Sequence, residues 1–525
     1  MEGAGMDDLP EEVLEFILSL ISPYKDLHDC MLVSKKWRRC VLNVVKIKQR
    51  NLYKAINDFD VRWDKITPTE MAPTIAKRYS HTAAVHENSM YVFGGCTCAM
   101  TTFNDLWRLD LSKRQWIRPV AMGTYPSPKA CSSLTRYEDM LILFGGWAYP
   151  PSYPLYQSWH LFDELHVYDI PGNSWKCVTT TGLSPAPVAG HSASIINNTM
   201  VVFGGLHKPN TAVHCEKSNE VWVLNLEDWT WKKPQIETGP KPHGRFGQTQ
   251  VVLDNENILI VGGSGGPSFY YADAWLLNMS DKVWKWSQVS IKGKSHEPTN
   301  IWSNPGCKIG DKIVVLNKIK NPEVTPLRYH SKSSPIEVMN PPDDGRLSRI
   351  DLANRPADKD DNVNGRRGTL RTPKREADDE SAHIHASKNL VLHGLNSGVN
   401  SMAAFNGPDQ RKREDELKRL ERLEKMKVKF KTAGKREKKT HYLGIYVLDI
   451  SQVLTHSYAT WLPPKNINIG PEETILYTLV EGKSELIMFG GIQKEPAEIT
   501  MGYSTNLSSQ ISNSLHFITA PSYVI

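Results

Sequence analysis

The chain has 525 residues, enough for more than one domain, and 63 Lys and Arg against 57 Asp and Glu leave a formal net charge of only +6, too little for a strong global field toward nucleic acid. No apolar run is long enough to span a bilayer and none stands at the N-terminus as a signal segment, so a membrane is not an expected partner. The eight Cys form no regular framework, and Cys96-x-Cys98 has neither the spacing nor the second pair of a zinc knuckle; the expectation is a cytoplasmic and/or nuclear protein with reduced thiols, no metal and no cofactor.

Residues 7–50 read as helical. Leu9-Pro10 opens the pattern, Pro being tolerated in a first turn where its missing N–H costs nothing. Glu11 and Glu12 suit the positive end of the helix dipole. Val13, Leu14, Ile17, Leu18 and Ile21 fall on one face, and Ser22-Pro23 ends the helix. A second short helix is expected from Asp26-Leu27 through Cys30, Met31 and Val33 to Trp37. Roughly 45 residues cannot bury all these side chains internally, so a partner surface is the expected sink.

Downstream, one pattern repeats: an apolar strand ending in Gly-Gly, then a strand with alternating faces, then a Trp. The Gly pairs are Gly94-Gly95, Gly145-Gly146, Gly204-Gly205, Gly262-Gly263 and, far downstream, Gly490-Gly491. Trp116, Trp175, Trp231 and Trp286 follow the first four, and are expected to pack between neighbouring units. A further β-rich run precedes each Gly-Gly strand, making about four strands per unit. Periods of roughly 50 residues with four strands each are the signature of propeller blades.

Lys312–Leu316 starts a fifth unit, with Asn317 in place of glycine. Its partner strand is expected only at Leu443–Asp449, trailed by Trp461, so residues 318–440 read as an insertion within blade five. Blade six is expected at 474–480, 485–491 and 513–518, and it lacks a Trp strand. Val61–Ile66, carrying Trp63, is expected to supply that strand and close the ring, removing two exposed sheet edges. The insertion is polar and poor in aromatics, which predicts disorder, with one charged helix over about 408–430. Lys435–Lys439 reads as a solvated charge run, with a nuclear import signal or a nucleic-acid patch as the alternative.

The repeats are similar to Kelch repeats, and residues 7–50 resemble an F-box in their Leu9-Pro10 start, Asp26-Leu27 and Val33–Trp37 ending. Together they resemble the F-box and Kelch substrate receptors. The implied fold is mainly β: a six-bladed Kelch β-propeller over 61–317 and 441–519, preceded by a small α-helical F-box. The implied function is the non-catalytic substrate-recognition subunit of an SCF E3 ubiquitin ligase; the alternative is a Kelch scaffold acting outside a cullin ligase. The resemblance implies that Leu9, Pro10, Val13, Leu14, Ile17, Leu18, Ile21, Leu27, Val33 and Trp37 meet the adaptor Skp1, and through it cullin and RING subunits. It also implies that loops on the Gly-Gly face hold a target protein through Arg78, Lys129, Trp147, His207, Arg245 and Tyr270. Arginine grips carboxylate or phosphate in a bidentate way, so an acidic or phosphorylated segment is the expected ligand. The competing expectation is that Arg78 and Arg245 pair with acidic neighbours inside the fold.

Overall fold

The computed structural model describes residues 5–67, 72–97, 101–149, 159–209, 214–266, 269–299, 305–320, 441–466, 468–493 and 510–521. The expected insertion helix, the Lys435–Lys439 run and the loop Pro150–Pro154 lie outside these residues. The N-terminal helices and the β-sheets belong to one compact unit.

Three helices open the chain: α1 (Glu11–Ser19), α2 (Lys25–Asp29) and α3 (Lys35–Asp58). The expected single helix from Asp26 to Trp37 is in fact interrupted. A 3₁₀ turn, Cys30–Leu32, follows α2. Ser34 then takes an extended conformation and its hydroxyl accepts from the Trp37 N–H at 3.2 Å, capping α3. A short hydroxyl side chain at this point offers the backbone a better partner than helix continuation does.

Helix α3 continues well past residue 50 and joins two cores. Its first half buries Cys40, Val41 and Val44 against Leu14, Leu18 and Leu27. Its second half buries Leu52, Ala55 and Ile56, with Phe59 and Val61, among Val314, Leu316, Leu443, Met488 and Ile518. The spacing 52, 55, 56, 59 is one helical face. The module is therefore fastened to the sheets by an unbroken helix.

The sheets follow the four-strand pattern. The first comprises Thr82–His86, Ser89–Phe93, Leu106–Asp110 and Gln115–Ile117, each antiparallel to its neighbour. Sheets of the same order follow with inner strands Ser133–Tyr137, Ser192–Ile196, Thr249–Val252, Cys307–Ile309 and Thr478–Glu481. In the fifth, Lys312–Lys318 pairs with Leu443–Asp449 across the insertion. In the sixth, Leu515–Thr519 pairs antiparallel with Arg62–Ile66, Trp63 standing opposite Ile518. Head and tail of the chain thus share one sheet. The expected single strand over 474–480 is split at Leu476, whose φ is +58°; only Thr478–Glu481 joins the sheet, and Thr474–Ile475 pairs with Ile492–Gln493.

The tryptophans lie between sheets. Trp175 packs on Phe93 of the preceding sheet at 5.5 Å between centroids, Trp231 on Phe144 at 5.0 Å and Trp286 on Phe203 at 5.3 Å. Trp116 of the first sheet packs on Phe489 of the sixth at 4.9 Å, which carries the series across the join. Each Gly pair turns the chain where a side chain would not fit. Gly94 has φ +65°, and a Cβ there would lie 2.4 Å from the Lys129 carbonyl.

Antiparallel pairing puts the Gly-Gly ends on one face and the turns between first and second strands on the other. The helical module holds the turn face. Buried Tyr24 donates its hydroxyl to Glu485, which also receives both terminal nitrogens of Arg114 at 2.8 and 2.6 Å. Tyr53 donates to Asp311 in the corresponding turn of the fifth sheet.

Candidate functional site

The expected basic ring is not presented to solvent. Arg78, Lys129 and Arg245 are fully buried. Arg78 grips Asp105 in a bidentate way, at 2.7 and 2.9 Å, and donates to the Gly94 carbonyl at 2.9 Å. Arg245 repeats this with Asp273 at 2.6 and 2.9 Å and with Gly262 at 2.9 Å. Lys129 donates to Glu164 at 2.9 Å. An aromatic ring covers each cation: Phe103, Tyr271 and Phe162, at 4.3, 4.1 and 4.2 Å. Burial acts to raise the Asp105 and Asp273 carboxyls, but the arginine hydrogen bonds and charge outweigh it and hold both below the usual carboxylate range. The side chains of the two arginines and Lys129 are thus all paired with acids inside the fold.

These cations join sheets. The Gly491, Gly95 and Gly205 N–H groups of the preceding sheets donate to the carbonyls of Arg78, Lys129 and Arg245 at 2.9, 3.0 and 2.8 Å, while each side chain reaches the acid of its own sheet. In the third repeat Val188 takes the cation's place, and the matching Glu220 turns to Lys233 and Trp222.

The Gly-Gly face instead presents aromatic ribbons. Trp147–Ala148 pairs with His160–Leu161, and Trp147 stacks on exposed Trp159 at 4.8 Å and 18°, with Tyr149 edge-on at 4.8 Å. His207 lies in a ribbon paired with Glu216–Lys217, and exposed Phe269–Tyr270 pairs with Ser264–Gly266. Trp147, His207 and Tyr270 therefore stand on three successive sheets. Cys96 is buried, its thiol pushed up to about 12 by burial, and is not part of this surface. Trp159 was missed in the sequence; it lies just before His160–Leu161, the strand paired with Trp147–Ala148.

The helical module divides its expected residues in two. Leu14, Leu18 and Leu27 are buried in its own core. Ile21 and Trp37 pack half-buried against that core, and Leu9 is half-buried, its carbonyl accepting from Lys36. Val13, Phe16, Ile17 and Leu20 make a second stripe on α1, with Phe16 53% and Leu20 70% exposed. Leu32 and Val33, which follow α2, are exposed as well, Leu32 by 80%, and Pro10 is exposed at the start of α1. Phe16, Leu20 and Leu32 were absent from the expected set. For Phe16 and Leu20 the signal was a second apolar stripe running along α1 to its C-cap, one more than α3 can cover.

Residues 6–46 match the family model F-box-like, and residues 78–284 match the model for the FBX42 beta-propeller domain. The chain is an F-box and Kelch-type propeller protein related to FBX42. It is similar to Kelch domain-containing protein 2 of Bos taurus, 25% identical over 283 residues, covering 50% of this chain and 65% of that protein. Kelch domain-containing protein 3 of Rattus norvegicus is 26% identical over 279 residues, 50% of this chain and 67% of that protein. Kelch domain-containing protein 1 of Mus musculus is 27% identical over 222 residues, 39% of this chain and 53% of that protein. The chain thus spans less than two thirds of the bovine and mouse relatives' own length. Among the described residues no helix is long and apolar enough to cross a membrane, and no group of three or more His, Cys, Asp or Glu could hold a metal ion.

Proposed function

We propose that this protein is the substrate-recognition subunit of an SCF-type ubiquitin ligase. The observation that carries the proposal is the second apolar stripe of α1. The module already has a closed core, yet Val13, Phe16 and Leu20 stay in water on its outer side, with Leu32 and Val33 exposed after α2. Such a patch on so small a module is the mark of a partner surface, and the adaptor Skp1 is its proposed occupant. Pro10, Ile17 and Leu9 border the stripe and complete the proposed contact.

The target is proposed to dock on the opposite face, against Trp147 with Trp159, His207, and Tyr270 with Phe269. Rigid aromatic side chains supply contact area at low entropic cost and are the usual composition of hot spots. Catalysis by this chain itself is not required. Holding a target lysine near a ubiquitin-charged enzyme raises its effective concentration, and the unbroken α3 keeps the two faces in one orientation.

Co-purification tests the first half. Phe16→Asp with Leu20→Asp is expected to abolish Skp1 capture while the melting temperature stays within about 2 °C of the parent. Capture that survives this change overturns the assignment. Cullin and RING subunits are expected to co-sediment with the parent; their absence while Skp1 is bound supports a scaffold acting outside the ligase instead.

A further inference from the structure

One side of α3 is a line of cations. Lys35, Arg38, Arg39, Lys46, Arg50 and Lys54 are all exposed, and at about 100° per residue they fall within a single stripe. Asn43, Gln49 and half-exposed Leu42 fill the spaces between them. The helix contains no acid before its last residue, Asp58, and none in its first turn. Arg39 pairs with Glu11. Among the described residues the side chains of the other five make no hydrogen bond or ion pair.

This arrangement differs from a solvated face of mixed charge. Lys36 and Lys48 are each satisfied by a backbone carbonyl, of Leu9 at 2.6 Å and of Ile21 at 2.9 Å. The stripe cations have no such outlet. Lys35 and Arg38 also sit at the positive end of the helix dipole, where a cation is disfavoured. Like charges three and four residues apart add repulsion. Nothing within the described chain offsets these costs, whereas an anionic partner would.

We infer that the exposed stripe of α3 is a docking surface for an acidic polypeptide segment. From Lys35 to Lys54 the helix rises about 29 Å, the reach of roughly nine extended residues carrying Asp, Glu or phosphoserine. Protein is favoured over nucleic acid by one feature: Leu42 in the middle of the stripe, 46% exposed, offers apolar contact that a phosphate backbone would not use. The stripe is separate from the outer side of α1, and the inference does not depend on what binds there.

Fluorescence anisotropy with the full chain and a labelled nine-residue polyglutamate peptide tests it. Arg38→Glu, Lys46→Glu and Arg50→Glu together are expected to weaken binding at least tenfold with an unchanged melting curve. Lys113→Glu, Lys176→Glu and Lys282→Glu, equal in charge change but on exposed propeller positions, are expected to change it less than twofold. The milder triple change to Gln at 38, 46 and 50 gives the same ranking if charge reversal impairs folding. Equal losses in the stripe and control variants, or no loss in either, overturn the inference. So does tighter binding of nonauridylate RNA or phosphatidylserine vesicles than of the peptide in the same titration.

Discussion

Arg245 offers the sharpest test of how this propeller is built. Its side chain makes four hydrogen bonds: two to Asp273, one to the Gly262 carbonyl and one to the His243 carbonyl, all between 2.6 and 3.0 Å. Arg245→Ala removes them together and leaves the Asp273 carboxylate with the Trp275 N–H at 2.8 Å. Breaking a buried ion pair from one side costs roughly 3–5 kcal/mol, because the surviving charge is stranded. The Asp273 side chain keeps 22% of its exposure, so water relieves part of that penalty and the expected loss is about 3 kcal/mol. Guanidinium unfolding of the full chain, followed by the fluorescence of the buried tryptophans, reads it. Lys233→Ala is the control: the Lys233–Glu220 pair is nearly half exposed on both sides, and its loss should cost under about 1 kcal/mol. Arg245→Met with Asp273→Leu should recover much of the loss, since no charge is then stranded. If Arg245→Ala unfolds no more easily than Lys233→Ala yet fails to bind a target, the arginine is a ligand residue and not an internal tie.

Four other outcomes are expected. His81, His191, His166 and His516 are pushed down by burial, His81 to about 3 and the others to about 4, against about 6.5 when unfolded. The unfolded chain therefore binds more protons below pH 6.5; this stability is whole above that pH and is lost as pH falls toward 4, by up to roughly 1.4 kcal/mol per unit for each fully buried ring. Unfolding midpoints measured from pH 7.5 to 5 should fall, and less steeply in His191→Gln. Leu14→Ala should destabilise the helical module by about 2–5 kcal/mol, seen as faster amide exchange in α1, whereas Phe16→Ala should leave exchange unchanged. Gly182 has φ +81° and its Cβ would meet the Trp231 carbonyl at 2.3 Å, so Gly182→Ala should cost about 2 kcal/mol or more in thermal unfolding. Tyr24→Phe removes the hydroxyl that reaches Glu485, which Arg114 still neutralises; a loss of about 1–2 kcal/mol should appear as faster exchange in α2 with target binding unaltered.

Much of the architecture was legible because it is periodic. Gly-Gly after an apolar strand, an alternating strand and a Trp recur in register, and the same grammar placed Trp63 at the far end of the chain from the sheet it completes. Other features were legible but under-read. Leu52, Ala55, Ile56 and Phe59 carry the face that takes α3 into the propeller, although Gln49-Arg50-Asn51 looks like the end of a helix. Asp105, Glu164 and Asp273 stand at matching places after Gly-Gly, and each is the mate of a cation some 27–35 residues away in sequence; acid and base repeating together was the sign of an internal pair.

From its order of residues alone, this chain settles which segments alternate, where the backbone must turn and that its two ends belong to one sheet, since those follow from spacing and local sterics. Whether a given side chain faces water is another matter. Arg78 and Lys35 are both cations beside strands or helices, and Leu14 and Phe16 share one helix, yet one of each pair is sealed and the other open. Only the folded neighbours separate them, because burial is set by what lies across the gap rather than by what lies along the chain.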